Sequence, residues 1–189
     1  MKITIAGLSG AGKTSLLKKL AEYYGTKPIS IGDLRGEFAI KNNTDLDGLN
    51  KLREKDSTVD TRFDIYQREY MEKEKKFTIE GRVSYFFAPK DSINLFLVAD
   101  RLIRAKRIFE DPRKDEKKCN SLQEILEMLD ERTSSDIKTY WNLYKTNCYD
   151  ATNFHLAIDT TFQTEEQVFF QTLQKIGFHK ELIEKYKLH

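Results

Sequence analysis

With 189 residues, 39% apolar and 33% charged, the chain is sized for one domain and is polar for a globular protein, yet its 12 Phe, 9 Tyr and 1 Trp are enough to fill a core, which excludes disorder along the whole length. Lys and Arg total 32 against 30 Asp and Glu, a formal charge of +2, so the chain is no polycation built to coat nucleic acid, and anion binding must come from local clusters. No apolar run approaches the roughly 18 residues of a membrane span. Cys119 and Cys148 lie far apart without CxxC spacing, so neither a disulfide framework nor a thiolate zinc site is indicated, and a reducing cytoplasm is expected.

Residues 2–6 are short and rich in β-branched side chains and predict a buried strand; they lack the longer apolar stretch of a secretory leader. A glycine-rich turn follows, then a helix over 13–24 with Leu16, Leu17, Leu20 and Ala21 on one face, stopped by Gly25 in the left-handed conformation. A second strand is expected at 28–31. Charge-rich helices are expected at 33–41, with Asp33 as N-cap, at 45–55 and at 58–75. Third and fourth strands are predicted at 77–80 and 93–98, the fourth running into a basic helix over 100–110. After a charged loop at 111–120, Ser121 and Glu124 form a capping box that opens a long helix reaching about Tyr149. A fifth strand is expected at 154–158. Thr164 and Gln167 cap a last helix that Gly177 ends, before a short amphipathic tail. Short apolar strands alternating with helices predict a parallel sheet covered on both faces, with the ligand at the carboxyl ends of the strands.

Gly7-Leu8-Ser9-Gly10-Ala11-Gly12-Lys13-Thr14 fits G-x-x-x-x-G-K-[ST] at every fixed position, between a predicted strand and a predicted helix. Glycines let backbone N–H groups converge on an anion without Cβ clashes, and the helix behind them points its positive dipole end at it. Lys13 is the expected bridge between β- and γ-phosphate oxygens, and the Thr14 hydroxyl the expected Mg²⁺ ligand. The motif specifies nucleotide binding, with Gly7, Leu8, Ser9, Gly10, Ala11, Gly12, Lys13, Thr14 and Ser15 as the donor-nucleotide residues; it does not specify the reaction. A GTPase would need an N-K-x-D base-reading motif, which is absent. Asp33-Leu34-Arg35-Gly36 and Asp45-Leu46-Asp47-Gly48 match D-x-x-G, a pattern too short to decide anything. A motor or helicase-type ATPase would need a longer chain.

Further motifs narrow the class. Ser30-Ile31-Gly32-Asp33-Leu34-Arg35 follows the second strand, and Glu80-Gly81-Arg82 the third. Arg101, Arg104 and Arg107 follow the fourth, Arg132, Lys138, Tyr140 and Tyr144 lie on the long helix, and Thr160-Thr161 follow the fifth strand. In order and spacing this resembles the nucleoside monophosphate kinases of the phosphate-loop class, closest to the short, archaeal-type cytidylate kinases. The resemblance implies an α/β phosphate-loop NTPase fold: a five-stranded parallel sheet flanked by helices, with a core of about 1–31, 76–107 and 137–189. A helical acceptor-binding insertion of about 32–75 and a lid of about 108–136 would complete the single domain. It implies ATP and Mg²⁺ as cofactors and transfer of the γ-phosphoryl group to CMP or dCMP by a monomer. Alternatives are another small-acceptor kinase such as an adenylate kinase, and a nucleotide-binding regulatory or RNA-associated protein without turnover.

By the same resemblance Arg35 and Arg82 clamp the acceptor's phosphate, a task suited to a fork of N–H donors. Asp33 and Glu80 orient the acceptor phosphate or hold Mg²⁺ through water. Arg107 and Arg132, with Lys13, Arg82 and Asp33, serve the transfer itself, Arg104 helps bind the donor, and Gly81, Asp60 and Arg62 complete the acceptor site. Arg104 and Arg107 are about one turn apart, which puts both within reach of one site. Three positions depart from the family pattern: Val59-Asp60-Thr61-Arg62 sets its Arg one place late, about 100° around the helix, Tyr66 before Gln67 replaces the second Arg of that stretch, and Thr139 stands where a second Arg is usual before Tyr140. Asp60 is the better base reader, since a carboxylate accepts from an exocyclic amine. Phe38, Phe63 and Tyr66 are core or base-wall candidates, Trp141 is expected to pack, and His155, His179 and His189 are isolated.

Overall fold

The computed structural model describes residues 1–44, 48–49, 58–113 and 118–186, the side chains of 58–60 excepted. The expected helix at 45–55 and the second D-x-x-G match lie largely outside the described residues, as do His189 and the side chain of Asp60.

Five parallel strands form one sheet in the order β2-β3-β1-β4-β5: β1 Lys2–Gly7, β2 Pro28–Ser30, β3 Phe77–Glu80, β4 Ile93–Val98 and β5 Leu156–Asp159. From β1 the chain crosses to β2 at one edge and returns to β3 beside β1, then passes to the other side of β1 through β4 and out to β5 at the opposite edge. The end of β1 is therefore the point where the order reverses, and a crevice opens there. Alternate side chains serve the two faces. Ile3, Ile5, Leu95, Leu97 and Ile158 pack under α1 (Lys13–Tyr24) and α7 (Glu165–Tyr186), joined by Leu16, Leu20, Val168 and Ile176. Ile29, Phe77 and Ile79 pack under α2 (Ile31–Lys41) and α3 (Thr58–Lys73), with Met71 and Phe63. The short α4 (Ser84–Phe87) follows β3. The basic helix α5 (Arg101–Glu110) and the long α6 (Leu122–Tyr144) pack through Ala105, Ile125, Met128 and Leu129.

Several boundaries differ from the sequence reading, each for a local reason. Ser30, not Asp33, caps α2: its hydroxyl accepts the Asp33 amide at 3.0 Å, leaving the Asp33 carboxylate for another partner. The helix α6 stops at Tyr144 because Lys145 turns left-handed, and the 3₁₀ turn Ala151–Asn153, started by Asp150, delays β5 to Leu156. Gly177 does not end α7. A glycine costs only about 1 kcal/mol in a helix, and the turn beyond it still packs His179 on His155, 5.3 Å between rings. Cys119, expected in an unanchored loop, packs half-buried against the α5–α6 core, whereas Trp141, expected to pack, is 54% exposed. The expected lid boundary at 136 falls inside the unbroken α6. Among the described residues no helix is long and apolar enough to cross a membrane.

Candidate active site

The loop after β1 is shaped by glycines that no other residue can replace. Gly7 has φ 145°, and a Cβ there would sit 2.2 Å from the Leu97 carbonyl oxygen of the neighbouring strand. Gly10 has φ 79°, and its Cβ would collide with the backbone and Cβ of Arg104. The loop is thus folded tightly onto β4 and α5, and it borders a cavity of about 700 Å³, a size suited to small ligands. Residues Ser9 to Ser15 line that cavity; Gly7 and Leu8 lie behind it. Lys13 curls back so that its Nζ donates to the Leu8 carbonyl at 2.9 Å. Burial lowers its pKa from the ordinary lysine range to about 8, the nearby Glu80 carboxylate opposing the shift.

Glu80, at the end of β3, is the counterpart of that lysine. It is 4% exposed; its Oε1 accepts from the hydroxyls of Ser30 at 2.6 Å and Thr14 at 3.3 Å, while Oε2 is buried and has no hydrogen-bond partner among the described residues. A buried carboxylate oxygen with no donor is costly unless a cation or ligand meets it. Together with the Thr14 hydroxyl it presents hard oxygen donors, which fit Mg²⁺.

Cationic side chains from other elements line the same cavity. Arg35 lines the cavity from α2, 6% exposed, its guanidinium 5.3 Å from the centre of the Phe63 ring. Arg82, Gly81, Arg113 and Arg132 line it as well. Arg82 is held by its Nε, which donates to Asp136 Oδ2 and, at 3.1 Å, to the Tyr149 hydroxyl. Burial is the largest single influence on Arg82 and would lower its pKa, but the Asp136 carboxylate together with Tyr149 and Tyr140 carries it well above the ordinary arginine value, so the guanidinium stays charged. Burial pushes the Tyr149 phenol well up, so it stays protonated. Arg107 lines the cavity, its Nη groups donating to Thr160 Oγ1 at 3.0 Å and to the Thr160 carbonyl at 2.6 Å. Thr160 in turn donates to the Ala11 carbonyl at 3.1 Å, tying the turn after β5 to the loop.

The structure does not gather every expected residue. Arg104 does not line the cavity. Its Nε and Nη1 donate to the Ala99 and Ser9 carbonyls at 3.1 and 3.2 Å, so it braces the loop from behind; burial lowers its pKa. Arg101 pairs with Asp130 and joins α5 to α6. Asp33 accepts from Arg113 Nη2 at 2.7 Å, at the cavity's edge. Arg62 is exposed on α3 and away from the cavity, as its late position implied. Phe38 and Phe63 pack edge to face at 5.8 Å, and Tyr66 is exposed. The sequence reading missed Asp136 and Tyr149. It also missed a buried chain in which Ser84 donates to Gln67 Oε1 at 2.7 Å, Gln67 donates to Asp64 Oδ1 at 2.8 Å, and Tyr144 donates to Asp64 Oδ2. That chain fixes α3 to α4 and α6. One signal for Asp136 was available: it stands midway between Arg132 and Tyr140 at i, i+4, i+8 on a single helical stripe.

Comparison with known proteins agrees with this geometry. The profile of the cytidylate kinase-like family matches residues 2–162. The chain is 31% identical over 160 residues to a cytidylate kinase of Archaeoglobus fulgidus, covering 85% of this chain and 86% of that one. It is 30% identical over 170 residues to a cytidylate kinase of Methanosarcina barkeri, covering 89% and 92%. Among solved structures, a shikimate kinase from Acinetobacter baumannii superposes with a TM-score of 0.59 at 19% identity, over 100% of this chain and 95% of that one. A gluconokinase from Sinorhizobium meliloti superposes with a TM-score of 0.61 at 15% identity, over 100% and 97%. The structural likenesses establish the fold, that of the phosphate-loop kinases.

Proposed function

The chain belongs to the cytidylate kinase-like family, and on that premise we propose that it transfers the γ-phosphoryl group of ATP to a nucleoside monophosphate, with CMP or dCMP as the preferred acceptor. The observation that carries this reading is one cavity lined both by the glycine-rich loop with Lys13, Thr14 and Glu80 and by the arginines Arg35, Arg82 and Arg132. Transfer between two polyanions needs charge neutralisation and in-line positioning, with no covalent intermediate, and this arrangement supports both.

In this reading the loop amides and Lys13 hold the donor's β- and γ-phosphates, and Arg107 sits beside them. Thr14 and Glu80 would hold Mg²⁺, which when bound would neutralise charge on the donor's phosphates. Arg35 and Arg82 hold the acceptor's phosphate. Arg132, delivered by α6, faces both and helps exclude water, the competing acceptor. Arg113 connects the segment after α5 to Asp33 and so lends a charge that Thr139 does not supply. Arg104 serves the donor site indirectly, by holding Ser9.

The test is ADP release with ATP and Mg²⁺ against CMP, dCMP, UMP, AMP, GMP and no acceptor, with products separated by chromatography. CDP or dCDP formed fastest is the expected result. Turnover led by AMP would keep the mechanism and overturn the base assignment. ATP bound with no nucleoside diphosphate formed from any acceptor would overturn the reaction.

A further inference from the structure

Arginine has a long, flexible side chain, and a buried one needs a fixed partner to hold a single geometry. Arg82 has two. Its Nε is shared by Asp136 Oδ2 and the Tyr149 hydroxyl, and that hydroxyl donates to the same carboxylate oxygen at 2.7 Å, closing a triangle of three side chains. Asp136 is 2% exposed and is not among the residues lining the cavity, whereas Arg82 lines it. The partners thus occupy the guanidinium edge away from the ligand space. A guanidinium reads a phosphate best through a parallel pair of N–H donors. With Nε engaged, the two Nη groups are the pair left to meet an anion in the cavity.

Resting on the reading of Arg82 as an acceptor-phosphate ligand, we propose that Asp136 and Tyr149 are positioning residues that clamp the Arg82 guanidinium by its Nε edge and aim its Nη pair at the acceptor's phosphate. Neither touches the substrate. The partners come from distant elements, Asp136 from α6 and Tyr149 from the connection to β5, while Arg82 follows β3. Since Arg132 lies one turn before Asp136 on α6, this helix sets the acceptor site twice, once by its own arginine and once through the arginine it holds. The Asp136 carboxylate also balances the Arg82 charge before any anion arrives, so the cation can wait buried and already aimed.

The experiment is calorimetric titration with CMP and separately with ATP, together with steady-state kinetics. The proteins are wild type, Tyr149→Phe, Asp136→Asn, Asp136→Glu, Arg82→Ala and the Arg82→Ala, Asp136→Asn double variant. Asp136→Asn should weaken CMP binding and raise the CMP KM at least about tenfold. Tyr149→Phe should weaken both by about threefold or more, and Asp136→Glu should recover part of the Asn loss. The ATP constants should stay within about twofold throughout. In the Arg82→Ala background, Asp136→Asn should add no further loss, because the clamp has nothing left to aim. Wild-type CMP affinity in Tyr149→Phe and Asp136→Asn would overturn the proposal. So would an Asp136→Asn loss that persists undiminished without Arg82, or one that differs between CMP and dCMP, since either would mean that Asp136 meets the substrate itself. If Asp136→Asn does not fold by circular dichroism, Tyr149→Phe and Asp136→Glu decide. A wild-type protein that binds CMP but forms no CDP would overturn the proposed reaction and leave the clamp standing. One that forms CDP while the variants keep CMP affinity would do the reverse.

Discussion

The pKa of Lys13 makes donor binding dependent on pH in a way that can be worked out. In the ligand-free protein, burial lowers this lysine to about 8 against an ordinary 10.5. A triphosphate at the loop stabilises the charged form and raises it again. Below pH 8 the lysine is already protonated and binding takes up no proton. Above pH 8 it is neutral, so binding must first charge it, and affinity falls as pH rises. Each pH unit above 8 weakens binding by up to about tenfold, about 1.4 kcal/mol, until the ordinary lysine range is reached. The ligand's own second phosphate ionisation, near pH 6, is complete in this window and adds nothing. The assay is calorimetric titration of metal-free ATP from pH 7 to pH 10, in two buffers of different ionisation enthalpy so that proton uptake is read directly. Affinity should be level up to about pH 8, then fall with uptake approaching one proton. Lys13→Met should bind more weakly at every pH and show no break. Because the Glu80 carboxylate opposes the shift, Glu80→Gln should move the break to lower pH. A flat wild-type profile between pH 7 and pH 10, or the same break in Lys13→Met, would mean that Lys13 does not set the pH dependence of binding.

Three further outcomes are expected. Gly7→Ala forces a side chain into the Leu97 carbonyl at a φ that only glycine adopts readily, and should cost at least about 3 kcal/mol; a thermal melt within a degree or two of wild type would contradict the loop geometry. Arg104→Met leaves the Ser9 and Ala99 carbonyls without their donor, about 1–3 kcal/mol for a buried group; kinetics should show the ATP KM raised about tenfold with the CMP KM unchanged. Glu80→Gln keeps shape and removes charge, so the Mg²⁺ concentration for half-maximal activity at fixed ATP should rise about tenfold; an unchanged Mg²⁺ curve would mean that Oε2 does not face the metal.

The loop and the sheet were legible in the sequence because their determinants are local. Glycine at Gly7, Gly10 and Gly12 reports a backbone that turns to positive φ, and the Ser121–Glu124 and Thr164–Gln167 pairs report helix starts, as the caps confirm. Arg104 shows where locality fails. Its spacing from Arg107 says that both can reach one site, but spacing does not say which side of the loop each will meet. That is decided by Gly10, whose missing Cβ lets α5 approach until Arg104 lies against the loop and turns its Nη1 to the Ser9 carbonyl. Arg107, one turn on, reaches past the loop to Thr160.

The acceptor side was less legible for a stronger reason. Arg82 takes its orientation from residues 54 and 67 positions away, and Asp64 is fixed by Tyr144, 80 positions away. Both contacts end on α6 or on the segment just after it. This helix therefore does two jobs: it carries Arg132 to the cavity, and it anchors both α3, through Tyr144 and Asp64, and Arg82, through Asp136. A rigid-body movement of α6 that carried Arg132 over the transferring phosphoryl would also shift Asp136 and Tyr144. Under the proposed function, closure and acceptor grip would then be mechanically one event: an acceptor phosphate engaging Arg82 would also act, through Asp136, on the helix that brings Arg132.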